Sequence, residues 1–385
     1  MPEPLAWPPL DLSHLRRLTD CTGIIQHAVY SIPDLATGYT TDDNARALQV
    51  AVQLESLGHP VQSLLETYLA FLHFVQRESG EFWHGLDYAR HPCGGVGSED
   101  TLGRALLACA AVLAWADGTS SRAAAVAPVA RRMWDQALPL AARLRFPRGQ
   151  ALALLALARY PARDGERDGL LELAVQLGDA MVARFRHHAG PGWYWFEDVL
   201  TYANALLPHG LLAAYRLTEK SEFLRVAQEA LQFLQSVVFR QGYLRVVGNR
   251  GWFPRGGSPA LFDEQPIDAG HMVEACLEAY QLTGESSYLE AARQSLQWFH
   301  GRNVLGVSLW DARSGGVCDG LGPDGPNLNQ GAESLLAYLS ARLAWECQFP
   351  TGDTGDPHPA GPPDQSTARG PAQDGDGTAP QKCEP

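Results

Sequence analysis

Asp42 and Asp43 stand side by side in "GYTTDDNARAL", Glu99 and Asp100 in "GSEDTLGRAL", Glu197 and Asp198 in "FEDVLTYANAL", Asp263 and Glu264 in "FDEQPIDAGH", and Glu333 closes "NLNQGAE". Each group precedes or opens a run rich in Ala and Leu at helical spacing. Taken singly, each has a local explanation. Acids in a first helical turn complement the dipole, and Thr41 or Ser98 can cap the exposed amides. Their recurrence needs more than capping. Carboxylates gathered around one cavity repel each other and separate their pKa values, leaving one protonated and another ionised near neutrality. Glycoside hydrolysis requires that division, with an acid for the leaving oxygen and a carboxylate to activate water.

The elements that would gather these acids are helices. Eleven amphipathic stretches, among them "ALQVAVQLESLG", "RALLACAAVLAWA", "SEFLRVAQEALQFLQSVV" and "GAESLLAYLSARLAWE", recur along the chain, and "PLDLSHLRRL" near the start could supply a twelfth. Two kinds alternate. One is Ala-, Gly- and Leu-rich and follows the acidic loops, while the other is longer and charged on one side. Copies of the first kind recur roughly every 50 to 65 residues, the length of a helical hairpin plus a connector. Six hairpins can close as two concentric rings, with the small-residue helices inside. The expectation is therefore an all-α (α/α)6 barrel, a six-hairpin toroid with short β-hairpin loop insertions. An open solenoid would use shorter repeats without decorated connectors. The barrel is expected over residues 1–347. Residues 348–385, dominated by Gly, Pro, Asp and Ala, read as a disordered tail.

In such a toroid the inner helices all open on one rim. Asp43 and Glu197 are the expected acid–base pair, with Asp100 and Glu264 next. Asp42, Glu99, Asp198, Asp263 and Glu333 would hold sugar hydroxyls, with Arg46, Arg104 and Asn204 orienting hydroxyls or carboxylates. The third copy, "RFPRGQALALLAL", has no acid and offers Arg148 and Gln150. Tryptophans in the connectors, Trp83, Trp195 and Trp252 among them, suit the apolar face of a sugar ring. "GYLRVVGNRGWFPRGG" alternates like a hairpin about a Gly-Asn-Arg-Gly turn, placed to act as a lid. His209 and His271 fall within inner helices and are candidate acid–base groups, His271 also a sugar contact.

Composition narrows the classes. The formal charge of −13, from 43 acidic and 30 basic residues, disfavours nucleic-acid and anionic-membrane partners. The start "MPEPLAWPPLDLSH" has no basic region followed by an apolar core, and no apolar run is long enough to span a bilayer, so a cytoplasmic location is expected. Seven scattered cysteines without C-x-x-C spacing read as reduced thiols. No metal-ligand spacing and no nucleotide-binding or G-x-S-x-G motif is present, so neither metal nor cofactor is expected.

Together "LTDCTGIIQHAVYSIPDLATGYTTDDNARAL", "GSEDTLGRAL", "WFEDVLTYANALLPHGLL", "FDEQPIDAGHMVEACLEAY" and "NLNQGAESLLAYL" resemble a bacterial family of (α/α)6-barrel, glycosidase-like proteins, often labelled glycosyltransferase-associated. The resemblance spans roughly residues 10 to 347. It implies the six-hairpin glycosidase fold, a mannose- or glucose-containing oligosaccharide as substrate, and a glycosyltransferase as partner. The reading is a metal-independent glycoside hydrolase of inverting course. Two alternatives stay open. One is a sugar epimerase or isomerase using the histidines; the other is a non-catalytic carbohydrate-binding partner of a glycosyltransferase.

Overall fold

The computed structural model describes residues 7–117 and 121–349. Twelve helices carry the described chain. Six form an inner ring: α2 (Thr41–Ser56), α4 (Glu99–Asp117), α6 (Pro147–Arg159), α8 (Leu206–Thr218), α10 (Pro266–Thr283) and α12 (Ala332–Gln348). Six flank them outside: α1 (Ser13–Leu18), α3 (Gln62–Val75), α5 (Ser121–Ala141), α7 (Arg167–His188), α9 (Ser221–Val238) and α11 (Ser286–Trp298). Each inner helix packs on the next and α12 packs back on α2, so the ring closes; each also packs on its outer partner, α1 serving α12. This is the (α/α)6 barrel. The tail expected from 348 onward lies, from residue 350, outside the described residues.

The ring closes tightly because its contact positions are small. A methyl built on Gly210 would stand 2.6 Å from the Ala151 Cα atom, and one on Gly270 2.8 Å from the Ala337 carbonyl oxygen. Ala45, Ala105, Ala153 and Ala275 fill the same interior without exposure above 1%. Small side chains let backbones approach, and a closer approach leaves fewer voids. The outer helices carry the amphipathic stripe: α9 buries Phe223, Val226, Ala230, Leu234 and Val238 at helical spacing.

Local signals set the inner-helix starts. At α2 the cap is Thr40, whose hydroxyl oxygen accepts from the Asp43 amide at 3.1 Å. Thr41, the expected cap, is instead the first helical residue and donates its hydroxyl to the Trp83 carbonyl at 2.6 Å. Ser98 caps α4 as expected, accepting from the Thr101 amide at 3.3 Å. Pro147 and Pro266 open α6 and α10, where a missing N–H costs nothing.

The connectors differ at the two ends of the barrel. On the face where inner helices begin, long segments enter α2, α4, α8, α10 and α12 and carry the short strands; on the other face the links are brief. The expected hairpin around Gly248–Gly251 does not form. Tyr243–Leu244 pairs with Phe239–Arg240, and Phe253–Pro254 pairs with Val199–Leu200. The turn falls at Gln241 and Gly242, with φ of 57° and 81°, the two left-handed positions that a tight two-residue turn needs.

Gly210→Val should cost about 1–3 kcal/mol of stability, because α6 and α8 must separate to admit the side chain. Gly169→Ala, in α7 with open space around it, should instead add up to about 1 kcal/mol. Urea unfolding of both variants checks this, and equal midpoints would contradict the close packing.

Candidate active site

Position within each helix, more than sequence motif, organises the polar groups. Asp42 and Asp43 are the second and third residues of α2, Asp100 the second of α4, Arg148 the second of α6, Asp268 the third of α10 and Glu333 the second of α12. Tyr202 and Asn204 enter just before α8. These residues share one height on the barrel axis and form a single layer at its N-terminal rim.

The layer is not a bare ring of negative charge. Arg46 donates to Asp43 and to Glu333, both at 2.8 Å. Arg104 donates to Asp42 Oδ2 at 3.2 Å, and Thr101 to its Oδ1 at 2.7 Å. Arg148 donates to Glu197 at 3.1 Å, to the Tyr202 carbonyl at 2.9 Å and to Thr201 at 2.7 Å. The Tyr202 hydroxyl completes the circuit by donating to Asp100 at 3.1 Å. Three arginines thus separate the carboxylates, and the repulsion expected from the acids alone is largely offset. The third inner helix, which has no acid in its first turn, supplies one of them.

Burial and charge then push neighbouring carboxyls in opposite directions. Burial alone would raise Asp42, but Arg104, Arg46 and the Thr101 hydroxyl outweigh it and hold the group below the usual carboxylate range. Burial raises Asp43 against the pull of Arg46, with Glu333 adding repulsion. Burial likewise raises Asp100. Asp268 goes furthest, up to about 7, because burial exceeds what the Asn204 and Ala203 amides and Arg148 return. Its Oδ1 accepts from the Asn204 backbone and side chain at 3.1 and 3.3 Å, while Oδ2 is buried with no partner.

Other expected residues fall elsewhere. Glu264 is fully buried beside α11, accepting from the Trp298 indole at 2.7 Å, and burial pushes it to about 7. Asp263 pairs with Arg250 in the segment entering α10, and Asp198 pairs with His188 at the end of α7 and with Arg255. Glu99 accepts from the Arg145 and Phe146 amides at the start of α6. Trp195 is fully buried against Phe196 and Phe233, so its ring cannot face a sugar. Trp83 is half-buried with Arg77 over its ring at 4.8 Å, and Trp252 stands in the segment between α9 and α10. Asp268 and Tyr202 escaped the sequence reading. Pro266, read as the first residue of α10, would have placed Asp268 level with Asp43.

Beneath the layer, a cavity of about 620 Å³ follows the barrel axis. Arg46 and Arg104, one turn below the acids, form its upper end; His209 on α8 and His271 on α10 line it at similar depth. Burial lowers His209 to about 4.

Asp268 offers a stability test. Its folded pKa of about 7 lies above the unfolded value near 4, so the folded state binds the proton more tightly and stability falls as pH rises through that window. His209 and His300, lowered to about 4, act in the opposite sense below about 6.5. The readout is therefore the difference between Asp268→Asn and wild type, in which the histidines cancel. Asp268→Asn should gain about 2 kcal/mol on wild type between about pH 5 and pH 8. A difference independent of pH in urea unfolding would contradict the raised pKa.

No family model matches the chain, and no curated protein matches it by sequence. Solved structures do match. Cellobiose 2-epimerase from Bacillus thermoamylovorans B4167 superposes with TM-score 0.67 at 12% identity, over 87% of this chain and 95% of that one. The GH76 alpha-mannanase of Bacteroides thetaiotaomicron gives 0.54 at 13%, over 80% and 87%. The cellulase Cel9M of C. cellulolyticum gives 0.56 at 10%, over 85% and 88%. What this chain shares with all three is the (α/α)6 barrel.

Proposed function

We propose that this protein is a glycoside hydrolase acting on a mannose- or glucose-containing oligosaccharide, with its acid and base drawn from the carboxylate layer at the N-terminal rim. The carrying observation is the opposed state of Asp42 and Asp268 within that layer. Asp268 is raised to about 7 and its covered Oδ2 has no protein partner, which suits a general acid once a substrate lies against it. Asp42 stays ionised and is partly exposed, its side chain 24% accessible, which suits a general base.

In the reaction, Asp42 takes a proton from water as its oxygen attacks the anomeric carbon. The glycosidic C–O bond breaks, and Asp268 gives its proton to the departing oxygen. Helices α2 and α10 are second neighbours in the ring, so axes about 8–10 Å apart between adjacent helices put these two roughly 14–17 Å apart. A separation of that size leaves room for a sugar and a water between the two carboxyls, the arrangement that inversion needs. Arg46, Arg104 and Arg148 fix the carboxylates. Asp43 and Glu197, the pair expected from sequence, act as positioning residues: the Asp43 side chain is only 6% accessible beside Arg46, against 24% for Asp42, and Glu197 anchors Arg148. The substrate class draws support from fold relatives whose names refer to cellobiose, mannan and cellulose.

Asp42→Asn and Asp268→Asn should each lower kcat about 10²-fold or more on a susceptible mannoside or glucoside. Wild-type turnover should fall above about pH 7 as Asp268 loses its proton, a limb absent from Asp268→Asn. Undiminished hydrolysis by both variants would refute the assignment. The alternative of proton transfer at carbon is favoured by His209 and His271 on the axial cavity. Solvent deuterium in the recovered monosaccharide, without glycoside cleavage, would establish it instead.

A further inference from the structure

The axial cavity is more than the floor of the rim layer. Its wall continues down each inner helix to the last turn, reaching Ser56, Arg159, Arg216, Gln281 and Cys347. All five are exposed, so the cavity opens on the face opposite the carboxylates. At about 1.5 Å per residue, the stretch from Arg46 to Ser56 is about 15 Å deep.

Four residues of this wall each carry a covered polar atom with no protein partner: Arg46 Nε, Gln53 Oε1, His209 Nδ1 and His271 Nε2. A buried donor or acceptor left unpaired costs stability, and small rotations of these four side chains toward the void would pair them with an occupant of matching groups. One is a donor, one an acceptor, and the two imidazole nitrogens take either role according to tautomer. Hydroxyl groups meet all of these, since each both donates and accepts. Leu107, Leu155, Ile267 and Leu336 supply apolar surface between them.

Charge on the wall is balanced. Arg46 and Arg104 answer the rim acids, Arg216 pairs with Glu278 at 2.8 Å, and Glu274 stands 3.2 Å from His271 Nδ1. Burial would raise Glu274, but the hydrogen bond to His271 and the Arg159 charge outweigh it and hold the carboxyl below its usual range. A cavity so compensated favours a neutral ligand, and about 620 Å³ falls within the roughly 300–1,000 Å³ of small-molecule sites.

We propose that the axial cavity is a second ligand site, entered from the face opposite the carboxylate layer, that takes a neutral polyhydroxylated molecule of mono- or disaccharide size. Gln53, His209 and His271 hold its hydroxyls, and the leucines cover its C–H faces. The proposal stands whether or not the rim layer hydrolyses glycosides, and proton transfer at carbon by His209 and His271 would be chemistry on this same ligand.

The test is calorimetric titration of the full chain with D-mannose, D-glucose and cellobiose. Saturable binding of at least one sugar is expected, weakened about tenfold or more by Gln53→Leu and by His209→Phe, and retained by the rim variant Glu197→Gln. Binding lost in Glu197→Gln but kept in both cavity variants would assign the sugar to the rim and overturn the proposal. A measurement on the unmutated protein covers the case in which the variants do not fold. Cys347 stands at the mouth, whereas the exposed Cys21 and Cys93 lie away from it. Saturating sugar should slow maleimide labelling of Cys347 about threefold or more relative to those two, read by peptide mass spectrometry. Unchanged relative labelling with all three sugars would overturn the proposal.

Discussion

The interaction on which the structure depends is the pairing of Arg46, Arg104 and Arg148 with carboxylates at the starts of the inner helices. Inner helices that all run one way bring their first turns, and whatever charge those turns carry, to one narrow rim. Acids suit a helix start individually, but a ring of them would oppose closure. Arginine resolves the conflict because a planar guanidinium can bond two partners at once, as Arg46 does with Asp43 and Glu333. Removing one partner would leave a buried charge uncompensated, which costs far more than the pair contributes. Ring closure and site chemistry therefore rest on the same bonds.

Compensation is uneven, and the unevenness gives the site its chemical range. Asp42 has an arginine and a threonine hydroxyl on its two oxygens and stays ionised. Asp268 accepts from the amides of Asn204, whose pull with that of Arg148 falls short of the cost of burial, and it keeps a proton near neutrality. One layer thus holds a base and an acid without a change in residue type. Below it, the arginines act as a partition between the acidic rim and a cavity of different character, where imidazoles and an amide replace carboxylates.

Helical periodicity, the alternation of small and amphipathic helices and the closed ring were all legible in the sequence. These follow from burial, and burial repeats along the chain. What local pattern could not convey was direction. Glu264 stands at the start of α10 and looks equivalent to Asp43, yet it precedes Pro266 and turns outward to Trp298. Trp195 sits in an entering segment like Trp83, but Phe196 and Phe233 draw it into the core. Thr41 and Thr40 differ by one residue as caps, and that residue decides whether Asp43 is the second or third helical position. The arginines were visible individually, whereas their role as spacers needed the ring.

The central claim, that one layer holds carboxyls in opposite protonation states, is most directly tested by carbon-13 NMR of labelled aspartate side chains across a pH titration. Resonances are assigned by their loss in Asp42→Asn and Asp268→Asn. The account predicts that Asp268 titrates near 7 and Asp42 below the usual carboxylate range. Both groups titrating together near about 4, as in an unfolded chain, would contradict it.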